Sequence, residues 1–85
     1  MKLGDYRDFV PGQKYRVLRN PAEIGQGYIQ FDFVPGEIVQ FVESAEVVYE
    51  SYTKLYFVCD EGKRRSVSFS VGLPEPVWGE FFERV

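Results

Sequence analysis

Glu43, Glu46 and Glu50 recur at spacings of three and four residues, the densest run of carboxylates in the chain. Paired carboxylates carry glycoside hydrolysis, and carboxylate oxygens are the ligands calcium takes. The spacing does not match an EF-hand loop, and the ordinary role of such a run is to keep a loop solvated. Histidine is absent, which removes the usual general base for a serine or cysteine nucleophile. One cysteine, Cys59, and no histidine cannot assemble the Cys/His ligand set of zinc. Cys59 stands in register with Leu55 and Phe57, the position of a small buried hydrophobe rather than a reactive thiolate, so alkylation should await unfolding. Gly25-Gln26-Gly27 lacks both the Lys-Ser/Thr of a P-loop and the third glycine of a dinucleotide fingerprint. No catalytic residue, cofactor or metal is expected.

Two groups remain as binding candidates. Lys63-Arg64-Arg65 is the one basic cluster and lies near Tyr56 in sequence, a combination that holds single-stranded nucleic acid by neutralising phosphates and stacking bases. Asp60 and Glu61 stand beside it and the formal charge is −3, so a charged hairpin tip that discourages edge pairing is the simpler account. Tyr28, Tyr49, Tyr52 and Tyr56 fall where alternation turns side chains outward or leaves them in loops, with Trp78 near them. Tyrosine and tryptophan bury apolar area while keeping a polar group for water or a partner. With Asp32, Glu46 and Glu50 as an acidic edge, they form a candidate peptide-binding surface of the kind that receives Pro-rich segments. The competing role for these rings is to extend an undersized core.

The frame that must position these groups is small. A chain of 85 residues is read as one domain, able to bury about 60–65% of its unfolded surface. Its core must be dense, and 45% hydrophobic with 18% aromatic content supplies the material. A sequence pI near 4.9 opposes a general grip on phosphate backbones. A single cysteine, no long apolar run and no apolar leader after Met1 are read as a cytoplasmic protein without a membrane segment.

Alternation locates the strands. Val67, Phe69 and Val71 alternate with serines, and Leu55, Phe57 and Cys59 share a face of the preceding run; Asp60-Glu61-Gly62-Lys63 joins the two as a hairpin. Residues 13–19 and 28–33 also alternate, and 37–45 is apolar on both faces. Residues 20–27 break every period, and 44–53 reads as a ragged turn between strands. Trp78, Phe81, Phe82 and Val85 recur as one helical face behind Pro74 and Pro76, predicting a short helix over 76–85, or a 3₁₀ turn, that plugs the barrel end.

Asp-Phe-Val-Pro-Gly occurs twice, at 8–12 and 32–36. Pro-Gly at the central positions fits a type II turn. The expectation is one turn solution used twice, with Phe9 and Phe33 packing inward, Asp8 and Asp32 outside, and no duplicated site.

Five strands and a terminal helix, with no helix between the third and fourth strands, favour an SH3-like barrel over an OB-fold. The expected plan is an arm over 1–12, barrel strands over 13–71 and a helix over 76–85. Phe9-Val-Pro-Gly-Gln-Lys-Tyr-Arg-Val-Leu18, Gly36-Glu37 opening an apolar strand, and Pro74-Glu75 before an aromatic tail together resemble small bacterial domains of unknown function with SH3-like barrels. The resemblance implies the fold and carries no site residues. The functional expectation is a non-catalytic module that binds a protein segment or weakly self-associates, with a small carboxylate enzyme as the alternative.

Overall fold

Both Asp-Phe-Val-Pro-Gly copies end in the turn their last two residues dictate. In the computed structural model, which describes residues 3–24, 29–70 and 74–85, Gln13 N–H donates to Val10 O (3.0 Å) and Glu37 N–H to Val34 O (3.1 Å). Gly12 and Gly36 take φ of 87° and 92°, as the third position of a type II turn requires. Each turn feeds a strand. The described strands are β1 (Lys14–Val17), β2 (Gln30–Asp32), β3 (Ile38–Val47), β4 (Tyr52–Cys59), β5 (Arg64–Ser70) and β6 (Phe82–Arg84).

The two turns grip each other's strands. Gly12 N–H donates to Phe41 O and Phe41 N–H to Gln13 O; in the same way Gly36 N–H donates to Val17 O and Val17 N–H to Glu37 O. Two residues oppose one, led by a glycine at positive φ, which is a G1 bulge made twice. Between the bulges β1 and β3 pair antiparallel as Lys14↔Gln40, Tyr15↔Val39 and Arg16↔Ile38. A local twofold axis therefore passes through the Tyr15–Val39 pair. It relates Phe9 to Phe33 and Val17 to Phe41, all of them buried. Sequence likeness stops at the glycines, whereas structural equivalence continues to the far ends of the ladder. The turn repeats as its Pro-Gly chemistry predicts, and the repeat extends to a matched pair of bulges.

Phe9 and Phe33 serve the core as expected. Phe57 and Phe82 stack in parallel (5.2 Å, 6°). Phe9 meets them edge-on at 5.3 Å each, and Phe33 meets them from its own position at 5.2 Å each. Edge-to-face and offset contacts of this kind add about 0.5–1.5 kcal/mol per pair beyond buried area. Tyr15 is fully buried, and its hydroxyl accepts Val10 N–H (2.9 Å), so its polar atom is not stranded.

The strands form an antiparallel sheet in the order β2-β5-β4-β3-β1-β6, curled into a half-barrel. Phe31 of β2 packs on Phe82 of β6 and on Phe81 (5.7 and 6.2 Å), so side chains bring the two edges together. The predicted hairpin is present, with Leu55↔Val67 and Thr53↔Phe69 on the inner face and Gly62 at φ 80°; Val71 lies outside the described residues.

Two expectations change. The terminal helix over 76–85 is a 3₁₀ turn at Trp78–Glu80 followed by β6, which makes six strands rather than five. Phe81 and Phe82 are buried in succession while Val85 is exposed, because β6 is drawn against β1 through Val17↔Phe82 and Arg16↔Glu83. The 3₁₀ alternative is what residues 78–80 adopt. Residues 44–53 are also more regular than a ragged turn. β3 runs to Val47, a 3₁₀ turn follows at Val48–Glu50, and Ser51 at φ 54° caps that turn before β4 begins at Tyr52.

The N-terminal arm is tied down by a local cap and by backbone contacts to the distant Trp78–Gly79 segment. A 3₁₀ turn at Tyr6–Asp8 is closed by a capping box between Asp5 and Asp8. Trp78 and Gly79 N–H donate to Gly4 and Leu3 carbonyls, and Leu3 is buried. Among the described residues, no helix is long and apolar enough to cross a membrane.

Candidate functional site: the outer face of β4

Buried and half-buried positions alternate along β4. Thr53, Leu55 and Phe57 are buried, which turns Tyr52, Lys54 and Tyr56 to the outer face. Their neighbours on β5 are all serines, paired as Tyr52↔Ser70, Lys54↔Ser68 and Tyr56↔Ser66. Beyond them on β2 lie Gln30 and Asp32, opposite Ser68 and Ser66. On β3 the neighbours are Val47, Ala45 and Glu43. The serines of the β5 flank make the half-buried Tyr52 and Tyr56 rings the largest groups on that side, a ridge beside a low serine track. Lys54 Nζ lies 5.3 Å from the Tyr56 ring centroid, a cation–π contact that holds both side chains to the sheet.

Hollows flank the ridge. One of about 350 Å³ is lined by Val42, Glu43, Tyr56, Val58 and Arg64, beside a bulge in β3 between Phe41 and Glu43. Neither Glu43 nor Arg64 is in an ion pair among the described residues. A second, of about 260 Å³, is lined by Asp32, Lys54, Ser66 and Ser68. Each hollow thus holds one cation and one carboxylate, a balanced field that suits a peptide better than a run of phosphates.

The remaining candidates scatter. Tyr49 is fully exposed (101%) beside Val48 (79%) at the hairpin turn. Partial burial, followed by the charge and hydrogen bond of Glu50, raises the Tyr52 phenol above its ordinary value. Trp78 leaves the surface altogether: it is wholly buried, its indole N–H donates to Glu75 (2.9 Å), and the core claims its ring. Tyr28 lies outside the described residues.

The carboxylate trio does not assemble. Glu43 pairs with Tyr56 on the outer face, whereas Glu46 pairs with Thr53 on the inner one, where it accepts the Tyr6 hydroxyl (2.8 Å). That hydrogen bond holds the Tyr6 phenol above its usual value. Glu46 therefore lies on the opposite face of the sheet from Tyr56, and meets Tyr52 only across a hollow at the hairpin end. Among the described residues, no group of three His, Cys, Asp or Glu side chains stands close enough to share a metal ion.

The basic cluster is split by alternation. Arg65 turns inward and donates through Nε to Glu37 (3.0 Å), with only 21% and 17% of the two side chains exposed; the Glu37 hydrogen bond raises its already high pKa. Lys63 pairs with Glu61 (3.5 Å). Arg64 is exposed and has no ion-pair partner among the described residues. Cys59 packs against the core but is only partly buried, because it ends β4 beside the open hairpin tip, so its shielding is less complete than its register suggests.

Sequence reasoning found the tyrosines and missed their setting. Lys54 lies two residues from each, so period-two alternation alone places it between them. The serine track and the Glu43–Arg64 hollow depend on cross-strand register, which has no local signal. No family model, no curated protein and no solved structure matches the chain.

Proposed function

We propose that this chain is a non-catalytic interaction module, an SH3-like barrel variant that holds an extended protein segment across the outer face of β4. The observation that carries this reading is the Tyr52–Lys54–Tyr56 ridge, aligned on one face and bordered by serines. Rigid aromatic rings with polar tips give large contact area at small entropic cost, which is why they dominate binding hot spots. Carboxylates on both sides of Tyr56, Asp32 across Ser66 and Glu43 directly opposite, favour a segment with a cationic residue beside its apolar ones. The module acts as a monomer or weak homo-oligomer in the cytoplasm.

The test is amide chemical-shift mapping of the labelled protein against a proline-rich peptide containing arginine and, separately, oligothymidylate. The expected shifts fall at Tyr52, Lys54, Tyr56, Ser66 and Ser68 with the peptide, and Tyr52→Ala abolishes them while the rest of the spectrum stays folded. Salt-sensitive shifts around Arg64 with oligothymidylate alone would move the assignment to nucleic acid. Peptide shifts that Tyr52→Ala leaves unchanged would remove the ridge from the site.

A further inference from the structure

Among the described residues, the far half of β3 has a neighbouring strand on one side only. β1 covers β3 from Ile38 to Gln40, and Gln13 and Gly12 close the pairing at Phe41. From Glu43 to Val47, β3 is paired with β4 alone among the described residues. Antiparallel strands bond to alternate sides residue by residue. Phe41 gives its N–H and C=O to the β1 side, the bulge skips Val42, and Glu43, Ala45 and Val47 then face β4. Ser44 and Glu46 are left directing their backbone groups away from the sheet.

We propose that this edge is a strand-addition site, and that its occupant is an extended, cationic segment of a partner protein. The inference rests on the segment-binding reading above but uses a different surface. Main-chain hydrogen bonds to Ser44 and Glu46 would supply affinity, and side chains at alternate positions the selectivity. Charge chooses the occupant. Glu43, Glu46 and Glu50 belong to no ion pair among the described residues, so a second copy of this edge would bring carboxylates against carboxylates. A basic segment relieves that field.

An independent feature points the same way. Thr53, opposite Glu46 in register, is buried at 4% exposure, and its hydroxyl has no hydrogen-bond partner among the described residues. It lines a hollow of about 380 Å³ with Glu46, Ser51 and Tyr52. Buried polar groups are rarely left unpaired. A lysine of the added strand, on the same face as Glu46, reaches both the carboxylate and this hydroxyl.

The probe is an end-blocked octapeptide alternating lysine and valine, with a glutamate–valine octapeptide as control. The expected result is slowed amide exchange at Ser44 and Glu46 with the lysine probe only, weakened by salt. Ser44→Pro removes an outward N–H, which an edge strand tolerates, and should abolish probe binding while the β4–β5 hairpin resonances persist. Should that variant not fold, Glu43→Gln with Glu46→Gln is the second: probe binding should fall about tenfold. Thr53→Val should weaken the probe without lowering the melting temperature. Tyr56→Ala, on the ridge but outside this hollow, should weaken the proline-rich peptide and leave the lysine probe bound, which separates this site from the ridge. Unchanged exchange at Ser44 and Glu46 at saturating probe, equal binding of both probes, or concentration-dependent protection of these amides without peptide would each overturn the proposal, the last by making the occupant a second copy.

Discussion

Replacing Gly12 and Gly36 by alanine tests whether the two turns are equivalent. Both glycines sit at positive φ, 87° and 92°. A Cβ on Gly36 meets nothing within 4 Å, and one on Gly12 comes no nearer than 3.9 Å to the Gln40 amide. Sterics beyond the residue therefore contribute nothing, and the whole cost is left-handed backbone strain of about 1–2 kcal/mol. The smaller entropy of unfolded alanine recovers about 0.4–1 kcal/mol of that. Each variant should lose about 1 kcal/mol, which for a domain of this size is about 4–8 °C in melting temperature. The bulges grip opposite ends of one ladder, so the double variant should show the sum within about 0.5 kcal/mol. Urea unfolding with an unchanged m-value measures all three. D-alanine, introduced by chemical synthesis, should instead stabilise either site, since its preferred φ is positive. A loss confined to one of the two L-alanine variants would refute the twofold relation.

Phe57→Ala removes the ring on which Phe9, Phe33, Phe41 and Phe82 converge; a loss of about 3–5 kcal/mol should appear as a large drop in urea midpoint. Glu37→Ala strands the Arg65 guanidinium and orphans Val34 N–H, which Glu37 also accepts (3.2 Å). It should cost about 1–3 kcal/mol, and joint replacement of both partners by leucine and methionine should cost less in the same assay. Tyr6 is held above its ordinary pKa by its hydrogen bond to Glu46. The folded state therefore keeps the proton longer than the unfolded one, so this stability is complete below about pH 10 and is lost as pH rises through the folded value. Stability measured against pH should fall less steeply in alkali for Tyr6→Phe than for the natural chain.

How far the sequence could be read depended on whether the controlling contact was local. The β4–β5 hairpin, the two Pro-Gly turns and the inward Phe9 and Phe33 all follow from residues within a few positions of each other. β6 was illegible because three residues are too few for alternation to show, and its partner β1 lies at the opposite end of the chain. Its aromatic spacing of three, one and three imitates a helix. Glu37 and Arg65 are separated by 28 residues, so the basic run at 63–65 looked intact until cross-strand pairing divided it. The tyrosine ridge was half legible: the outward side chains came from alternation, while the serines beside them required the register of β5.

The bulges at the two ends of the β1–β3 ladder also limit what lengths of chain the domain accepts. Each strand spans a fixed number of residues between its own turn and the turn that grips it. A residue inserted or deleted within either span cannot be taken up by sliding, because both anchors would have to release together. It would instead reverse the inside and outside of everything between them, exchanging Tyr15 and Val39 with Lys14 and Gln40. Length variation should be confined to the connection from Asn20 to Ile29 and to the hairpin turn at Val48–Glu50, with the paired spans invariant.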